Sequence, residues 1–321
     1  MFSGEIADML RGVRLIRGAL NHSSEIALVS TDLCRRGGRI WTVVLLLASL
    51  SAAGPVASEP LAGIAHVAFR VADLGRSRDF YNSLGFEQAF AFTDSGKPPV
   101  SYIKINDRQF IELYGPGEDS SSIGLMHLCY EASDIERVRK EYEARGLAAP
   151  EGRKARAGNL LFSIRGPDGQ TIEYTEYMPG SLHSDDRGKH LGRGRISDHL
   201  LGVVVPTRDL AATRDFYLKK LGFLSANSRR NDSQELWLRL PGDSGEELGL
   251  EEADAKPKIV FIVPNLLHAE SDLRSRGLVA NVHSFSVSCT DPDGVIIEFI
   301  STAPGHAKRR SFGGVPTDDA T

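Results

Sequence analysis

Short stretches in which apolar and polar residues alternate recur along the chain, and turns separate them from segments of helical spacing. Residues 62–71 alternate in this way, which is typical of a strand with one buried face. Residues 74–84 then place apolar side chains at helical spacing. Further strand patterns follow at 87–92, 100–105 and 109–114. This order predicts one β-α-β-β-β module.

The module pattern restarts within the same half of the chain. Residues 124–131 alternate as a strand, and residues 134–145 follow with a helical pattern that ends at Gly146, a residue type favoured at helix C-termini. More strands follow, and the last of them, at 170–177, comes after a Gly-Pro-Asp-Gly turn. Two modules therefore fill residues 61–178.

The second half of the chain repeats the first. The stretch HVAFRVADLGRSRDFYNSLGF, which starts at His66, returns as GVVVPTRDLAATRDFYLKKLGF at Gly202. The stretch GPDGQTIEYTEY at 166–177 returns as DPDGVIIEFIST at 291–302. A repeat of this length indicates duplicated domains rather than a solenoid, whose repeats span about 20–50 residues. We therefore predict four βαβββ modules in two domains.

Two segments lie outside the repeats. A polar, glycine-rich stretch at 179–195 is predicted to link the domains 61–178 and 196–302. Residues 303–321 are predicted to form a disordered tail.

The N-terminal segment has the order of a secretory signal. Three arginines between positions 35 and 39 precede an apolar run from Ile40 to about Leu50, and small residues follow. The run is shorter than the roughly 20 residues that a membrane-spanning helix needs. Residues 1–58 are therefore predicted to be a signal peptide or a disordered extension, and the protein is expected to be periplasmic or extracellular. The alternative is a buried helix of a cytoplasmic protein.

Composition limits the class of partner. The 321 residues are 41% hydrophobic and 25% charged, as in ordinary soluble proteins, and the net charge of -4 gives no reason to expect nucleic acid as a partner. Cys129 and Cys289 lie one in each half and make no disulfide framework. The expected partner is a small-molecule substrate, and the chain is expected to be a pseudo-symmetric monomer or a homodimer with no integral membrane span.

Strand alternation places four metal-binding residue types on one face of the first domain. Because neighbouring residues of a strand point to opposite faces, the apolar residues of AHVAFRV leave His66 on the face away from the helices. The same alternation puts Glu112, His127 and Glu173 on that face. Two imidazoles with one or two carboxylates suit one divalent transition metal, such as Ni²⁺, Zn²⁺, Mn²⁺ or Fe²⁺.

The chain resembles the vicinal oxygen chelate superfamily over residues 62–302. The shared features are the βαβββ order, the Asp-Leu turn before a helix with Phe-Tyr, the Leu-Gly-Phe segment, and the Asp-Pro-Asp-Gly turn before Ile-Glu-Phe. Members include glyoxalase I, methylmalonyl-CoA epimerase, extradiol dioxygenases, and the fosfomycin and bleomycin resistance proteins. The resemblance implies an α+β fold in which modules pair into curved, mixed eight-stranded sheets with helices on the convex face. It also implies a metal on the concave face, with the four residues above at its ligand positions.

The second domain lacks most of this set. Matching the repeats places Gly202, Gly249, Lys258 and Glu298 opposite His66, Glu112, His127 and Glu173, in that order. A slip in register would instead place Glu247 or Glu251 opposite Glu112. The site of the second domain is therefore expected to be degenerate, with Lys258 in the space of the missing metal.

His199 is the remaining candidate for a second metal site, together with Glu298. It lies ten residues before its Asp-Leu turn, whereas seven residues separate His66 from Asp73. That odd difference puts His199 on the opposite face unless the loop absorbs it. We therefore expect one ion per chain.

The resemblance implies that the metal chelates a small oxygenated substrate, and we expect lyase or isomerase chemistry through an enediolate. Glu173 or Glu112 is then the general base. One alternative is an extradiol-type ring-cleaving dioxygenase that uses two histidines and one glutamate, although in that class the metal usually lies in the second half. The other is a small-molecule binding protein of the bleomycin-resistance type.

Five further side chains of the first domain have the strand parity to contact a substrate. They are Arg70, Tyr102, Lys104, Ser163 and Arg165. An arginine among them would pair with a substrate carboxylate or phosphate. The alternative is that they are solvated strand ends.

Overall fold

The structure, a computed structural model, describes residues 13–18, 26–31, 61–117, 123–226 and 235–301. Strands β1 (Val13–Gly18) and β2 (Ile26–Thr31) pair antiparallel in a sheet of their own. Of residues 1–58, predicted to be a signal peptide or a disordered extension, the structure describes only these two strands. The predicted tail at 303–321 lies outside the described residues, and export stays a prediction. Among the described helices, none is long and apolar enough to cross a membrane.

The first half forms one mixed eight-stranded sheet with two helices. Its strands are β3 (Leu61–Arg70), β4 (Glu87–Phe92), β5 (Val100–Lys104), β6 (Phe110–Tyr114), β7 (Gly124–Ala132), β8 (Arg153–Lys154), β9 (Leu160–Arg165) and β10 (Thr171–Glu176). Its helices are α1 (Leu74–Ser83) and α2 (Ile135–Ala144). The order across the sheet is β4-β5-β6-β3-β7-β10-β9-β8, with β3–β6 and β7–β10 parallel.

The second half repeats this order after a short helix, α3 (Leu182–Asp185). Its strands are β11 (Leu200–Thr207), β12 (Leu224–Ser225), β13 (Leu236–Arg239), β14 (Glu247–Glu252), β15 (Lys258–Ile262), β16 (Asn281–Val282), β17 (Ser286–Thr290) and β18 (Ile296–Ile300). Its helices are α4 (Leu210–Phe216), which continues as a π-helical turn (Tyr217–Leu221), and α5 (Leu266–Ser275). The sheet order is β12-β13-β14-β11-β15-β18-β17-β16. The predicted α+β fold with two mixed eight-stranded sheets is confirmed.

Each long helix begins with a side-chain cap that the repeated motif supplies. The capping residues are Asp73, Asp134, Asp209 and Asn265, and each accepts a hydrogen bond from a backbone N–H of the first turn. Such caps satisfy donors that the start of a helix leaves without an intrahelical partner. The Asp of the repeated Asp-Leu pair therefore fixes where a strand ends and a helix begins.

The helices cover one face of each sheet, and the core under them is continuous between the two halves. The rings of Phe86 and Phe261 stack with centroids 5.3 Å apart, and Tyr130 meets Phe223 edge-on at 5.4 Å. These contacts join residues from both halves in one apolar cluster. The face of each sheet opposite the helices is called the open face below.

The Gly-Pro-Asp-Gly and Asp-Pro-Asp-Gly turns each reach from one half to the other. Asp168, in the first turn, accepts a hydrogen bond of 2.6 Å from the backbone N–H of Arg208, just before α4. Asp293, in the second turn, accepts hydrogen bonds of 3.2 Å from the backbone N–H of Ala72 and from the hydroxyl of Ser77 in α1. The two turns therefore fasten the halves together in a pseudo-symmetric way.

Candidate metal centre

The four predicted metal ligands come from adjacent strands in the middle of the first sheet. Ala68 of β3 pairs with Glu112 of β6 on one side and with His127 of β7 on the other. Cys129 of β7 pairs in the same way with His66 of β3 and Glu173 of β10. The four residues therefore surround Ala68 and Cys129. Because these two side chains are small, they leave room for the polar groups of the four residues to converge.

The donor atoms of these side chains lie close enough to share one ion. The Nε2 atom of His66 is 3.1 Å from Nε2 of His127 and 3.3 Å from Oε1 of Glu112. The Nε2 atom of His127 is 3.4 Å from Oε2 of Glu173, and the other two His–Glu separations are 3.8 and 3.9 Å. Ligands at about 2.1 Å from one ion lie about 3.0–3.4 Å apart in octahedral or tetrahedral geometry. His66, Glu112 and His127 thus form a group that could hold a metal ion, and Glu173 lies beside it.

Burial favours the neutral forms of the four groups as long as no cation is bound. Burial, together with repulsion from Glu173, raises the pKa of Glu112 to about 8, and burial raises the pKa of Glu173 to about 7. Burial lowers the pKa of His127 to about 4 and the pKa of His66 well below its ordinary value. A divalent cation would supply the positive charge that this cluster of acceptors lacks.

Two tyrosines lie beside Glu112. The hydroxyl of Tyr114 donates a hydrogen bond of 3.1 Å to Oε2 of Glu112, and Tyr102 lies directly opposite Glu112 on the neighbouring strand. Groups that hydrogen-bond a ligand side chain fix its orientation toward a metal. Tyr102, predicted as a substrate contact, therefore lies beside the metal site.

The ammonium of Lys104 binds to acidic and carbonyl groups of the protein itself. It is buried and lies 2.8 Å from Oδ2 of Asp186 and 2.9 Å from Oδ1 of Asp107. It also donates to the backbone carbonyl of Asp186 at 2.5 Å. Lys104 lies on the open face as predicted, but it fastens the segment after α3 and is not free to contact a substrate.

The two arginines of the predicted substrate set differ in their surroundings. Arg70 lies at the end of β3 opposite Tyr114, and its Nε is buried without a hydrogen-bond partner among the described residues. Arg165 donates to the carbonyl of Gly169 at 3.1 Å and to the hydroxyl of Thr171 at 2.7 Å. Arg165 lines a cavity of about 740 Å³ at the end of the sheet, which His127 also lines.

A further residue on the open face, His183 of α3, had no signal in the sequence. The segment 179–195 was predicted to be a polar linker, yet His183 is only 3% exposed. Its ring stacks on Tyr177 with centroids 4.9 Å apart. It meets three further rings edge-on, those of Phe90, Tyr102 and Phe110. A single histidine among polar residues carries no periodicity, so only the fold reveals where it lies.

The register of the second sheet confirms the matching of the repeats. Val204 pairs with Gly249 and with Lys258, as Ala68 does with Glu112 and His127 in the first sheet. Val260 pairs with Gly202 and with Glu298, as Cys129 does with His66 and Glu173. Gly202, Gly249, Lys258 and Glu298 thus stand at the four ligand positions.

A tryptophan and a lysine fill the space that a metal would need in the second domain. A Cβ atom on Gly202 or on Gly249 would lie 3.1 Å from the indole ring of Trp237. The indole N–H donates to Glu235, which forms an ion pair with Lys258. The Nζ atom of Lys258 also lies 3.8 Å from Oε2 of Glu298. The ammonium of Lys258 and the indole of Trp237 therefore occupy the place of the missing metal.

His199 does not complete a second metal site. It lines a cleft of about 1150 Å³ on the open face of the second sheet, together with Lys258 and Glu298. In the part of the chain that the structure describes, every group of three or more residues with metal-ligand spacing belongs to the first domain. The second open face therefore keeps a cleft but has lost the ligand set.

Comparison with known proteins agrees with this fold. Residues 63–174 match the model of the Glyoxalase/Bleomycin resistance protein/Dioxygenase superfamily. No curated protein sequence matches the chain. Several solved structures share its two-domain architecture, at identities that show the fold alone.

Three of these structures are described here as examples. The 2,3-dioxygenase LapB from Pseudomonas sp. KL28 is 15% identical, with a TM-score of 0.58 over 81% of this chain and 98% of that chain. A catechol 2,3-dioxygenase is 15% identical, with a TM-score of 0.58 over 78% and 97%. The Mn(II)-bound glyoxalase from Novosphingobium aromaticivorans is 15% identical, with a TM-score of 0.57 over 75% and 82%. The fold is thus shared by two dioxygenases and a glyoxalase.

Proposed function

We propose that the first domain, whose residues 63–174 match the model of the Glyoxalase/Bleomycin resistance protein/Dioxygenase superfamily, is a divalent-metal-dependent enzyme. The observation that carries this proposal is the convergence of four side chains. The Nε2 atoms of His66 and His127 each lie within 4 Å of a carboxylate oxygen of Glu112 and of Glu173. Two imidazoles and two carboxylates are a donor set that fits Mn²⁺, Ni²⁺, Zn²⁺ or Fe²⁺. Such an ion, when bound, supplies Lewis-acid stabilisation of negative charge on substrate oxygens.

The number of donors favours lyase or isomerase chemistry. His66, Glu112, His127 and Glu173 would all hold such an ion, and it would supply Lewis-acid stabilisation to two neighbouring oxygens of one substrate. A set of four protein donors exceeds the two histidines and one carboxylate that are typical of non-haem Fe²⁺ oxygenases. A reaction that moves a proton next to a carbonyl group needs only those two oxygens and a base.

Glu173 is the carboxylate best placed to act as that base. Its side chain is 15% exposed, whereas the side chain of Glu112 is 4% exposed and is held by the hydroxyl of Tyr114. A base must reach the substrate and release the proton again, which suits the more open group. In this proposal Glu112 stays fixed, and the guanidinium of Arg70 binds a carboxylate or phosphate of the substrate.

A ring-cleaving dioxygenase is the second candidate, and one observation favours it. His66, His127 and Glu112 form by themselves a two-histidine, one-carboxylate set, which is typical of non-haem Fe²⁺ oxygenases. If Glu173 does not bind the metal, these three residues would be the whole ligand set.

The experiment that separates these functions uses metal-free protein loaded in turn with Mn²⁺, Ni²⁺, Zn²⁺ and Fe²⁺ without oxygen. Substrate panels of 2-oxoaldehyde thiol adducts, 2-methyl-3-oxo acyl thioesters and catechols are then tested with an oxygen electrode. We expect turnover without oxygen uptake. Oxygen uptake with a catechol would support the dioxygenase instead, and tight binding without turnover would support a binding protein.

A further inference from the structure

The thiol of Cys129 lies within the metal centre of the first domain. Cys129 follows His127 by two residues on β7, so the two side chains point to the same face of the sheet. Across the sheet, Cys129 pairs with His66 on one side and with Glu173 on the other. The sulfur atom is therefore a direct neighbour of two of the four proposed metal ligands on the open face.

The sulfur atom is close enough to these two ligands to share an ion with them. A ring nitrogen of His66, the sulfur of Cys129 and a carboxylate oxygen of Glu173 all lie within 4.8 Å of one another. Zinc binds thiolate sulfur at about 2.3 Å and imidazole nitrogen at about 2.0 Å, so two such donors of one ion lie at most about 4.3 Å apart. Rotation of the side chains is enough to close the difference.

The protein itself makes little use of this thiol. Cys129 is fully buried, and its Sγ lies 3.8 Å from the backbone carbonyl oxygen of Tyr130, which is a weak contact because a thiol is a weak donor. Cys129 and Cys289 are both free cysteines, so no disulfide occupies the sulfur. A metal ion would therefore meet no strong competitor for it.

His66 gives a second, independent indication of a ligand at this place. Its side chain is only 5% exposed, and its Nδ1 has no hydrogen-bond partner among the residues that the structure describes. A buried polar atom without a partner is uncommon unless an ion or another ligand binds beside it. The side chain of Glu173 is 15% exposed, so the cluster is open to solvent there and a single ion can enter without a wide cavity.

We propose that Cys129 is a further metal ligand, which joins His66 and Glu173 when the bound ion is thiophilic. This inference rests on the proposed function, because it uses the same metal centre. Thiolate sulfur is a soft donor that favours ions such as Zn²⁺, whereas Mn²⁺ favours oxygen donors. The thiol would thereby let the centre distinguish ions by their preference for sulfur, while Glu112 and Glu173 provide the oxygens that Mn²⁺ prefers.

The absorption spectrum of bound Co²⁺ tests this assignment. Thiolate bound to Co²⁺ adds an intense charge-transfer band in the near ultraviolet, whereas weaker visible bands report Co²⁺ bound by any protein ligands. The full chain is stripped of metal, loaded with Co²⁺ without oxygen, and compared with C129S and C289S loaded in the same way. C289S is the matched control, because Cys289 is also buried and free but lies in the second domain.

We expect the charge-transfer band in wild type and in C289S. In C129S we expect this band to be absent while the visible bands remain, because the imidazoles and carboxylates still hold the ion. Competition titrations should show that Cd²⁺ binds at least about 10-fold more weakly to C129S than to wild type, whereas the affinity for Mn²⁺ changes by less than about twofold.

Wild-type protein that binds Co²⁺ without the charge-transfer band, or C129S that keeps this band, would overturn the role of Cys129. An equal loss of Cd²⁺ and Mn²⁺ affinity in C129S would overturn it too, since that indicates a structural effect. If C129S does not fold, C129A is compared with C289A in the same way. Failure of the proposed function has a different result, because wild type would then take up no Co²⁺ and have neither kind of band.

Discussion

The Nε2 atoms of His66 and His127 face each other at 3.1 Å on the open face of the first sheet, although 61 residues separate them in the chain. They meet because β3 and β7 are neighbours in the sheet, with Ala68 opposite His127. With Glu112 and Glu173 beside them, they form a cluster of acceptors that a cation would stabilise. The following predictions depend on this cluster and on its loss in the second domain.

The two carboxylates should differ in function. In E173Q a neutral amide keeps an oxygen for the metal but cannot take a proton, so we expect kcat to fall at least about 100-fold with metal binding largely retained. E112Q should weaken metal binding more and affect kcat of the loaded protein less. Steady-state kinetics and metal titration of both variants, once a substrate is found, measure the difference. An E173Q protein with wild-type kcat would exclude Glu173 as the base.

The stability of the metal-free protein should depend on pH through these carboxylates. Their folded pKa values, about 8 for Glu112 and about 7 for Glu173, lie above the ordinary value of 4.5. The folded state then binds more protons than the unfolded chain, so this contribution is complete below pH 4.5 and is lost as pH rises through 7 and 8. His66 and His127 have lowered pKa values and act in the opposite sense only below about pH 6.5.

We therefore expect the Tm of the metal-free protein to fall more steeply than that of the zinc-loaded protein between about pH 6.5 and 8.5. Thermal unfolding of both forms in the same buffers measures this. Glu246, whose pKa burial also raises to about 7, contributes equally to both forms and cancels in the comparison. Parallel curves would mean that the metal does not replace protons on these carboxylates.

The glycines at the lost ligand positions should not tolerate a side chain. A Cβ on Gly249 would lie 2.8 Å from Val204 and 3.1 Å from Trp237, and a Cβ on Gly202 would collide with the carbonyl oxygen of Glu247. We expect G249A and G202A each to lower the free energy of unfolding by about 1–3 kcal/mol.

G194A is the control, because a Cβ there meets no atom within 4 Å, and denaturant unfolding compares the three variants. Equal stability of G249A and G194A would show that the indole does not fill the second site.

The two inter-domain turns should contribute to stability in proportion to the bonds they make. D168A removes the acceptor for the backbone of Arg208, and D293A removes the acceptor for Ala72 and Ser77. We expect each to lower the free energy of unfolding by about 1–2 kcal/mol.

D272A, on the exposed surface of α5, should change the free energy of unfolding by less than about 0.5 kcal/mol. Denaturant unfolding compares the three variants. If D168A and D293A match this control, the turns do not fasten the two halves.

The sequence predicts those parts of the site that follow from local pattern and repetition. Strand alternation placed His66, Glu112, His127 and Glu173 on one face, and the repeat matched Lys258 to His127, because both depend on spacing within one strand or turn. The position of His183 depends on which segment covers the open face, and no local pattern encodes that. The contact of Trp237 with Gly202 and Gly249 is also not predictable from local pattern. In the sequence the two glycines indicate only that ligands are missing, and the register of the sheet shows that Trp237 packs beside both.

The central claim is that the chain carries two similar domains and one metal centre. The number of metal ions bound per chain tests this claim most directly. The purified protein is stripped of metal, dialysed against excess Mn²⁺ or Zn²⁺ and analysed by atomic emission, with H127A and H199A treated in parallel. We predict one ion per chain in wild type and in H199A, and an affinity at least about 100-fold weaker in H127A because a first ligand is lost. Two ions per chain in wild type, or one tightly bound ion that survives in H127A and is lost in H199A, would contradict the account.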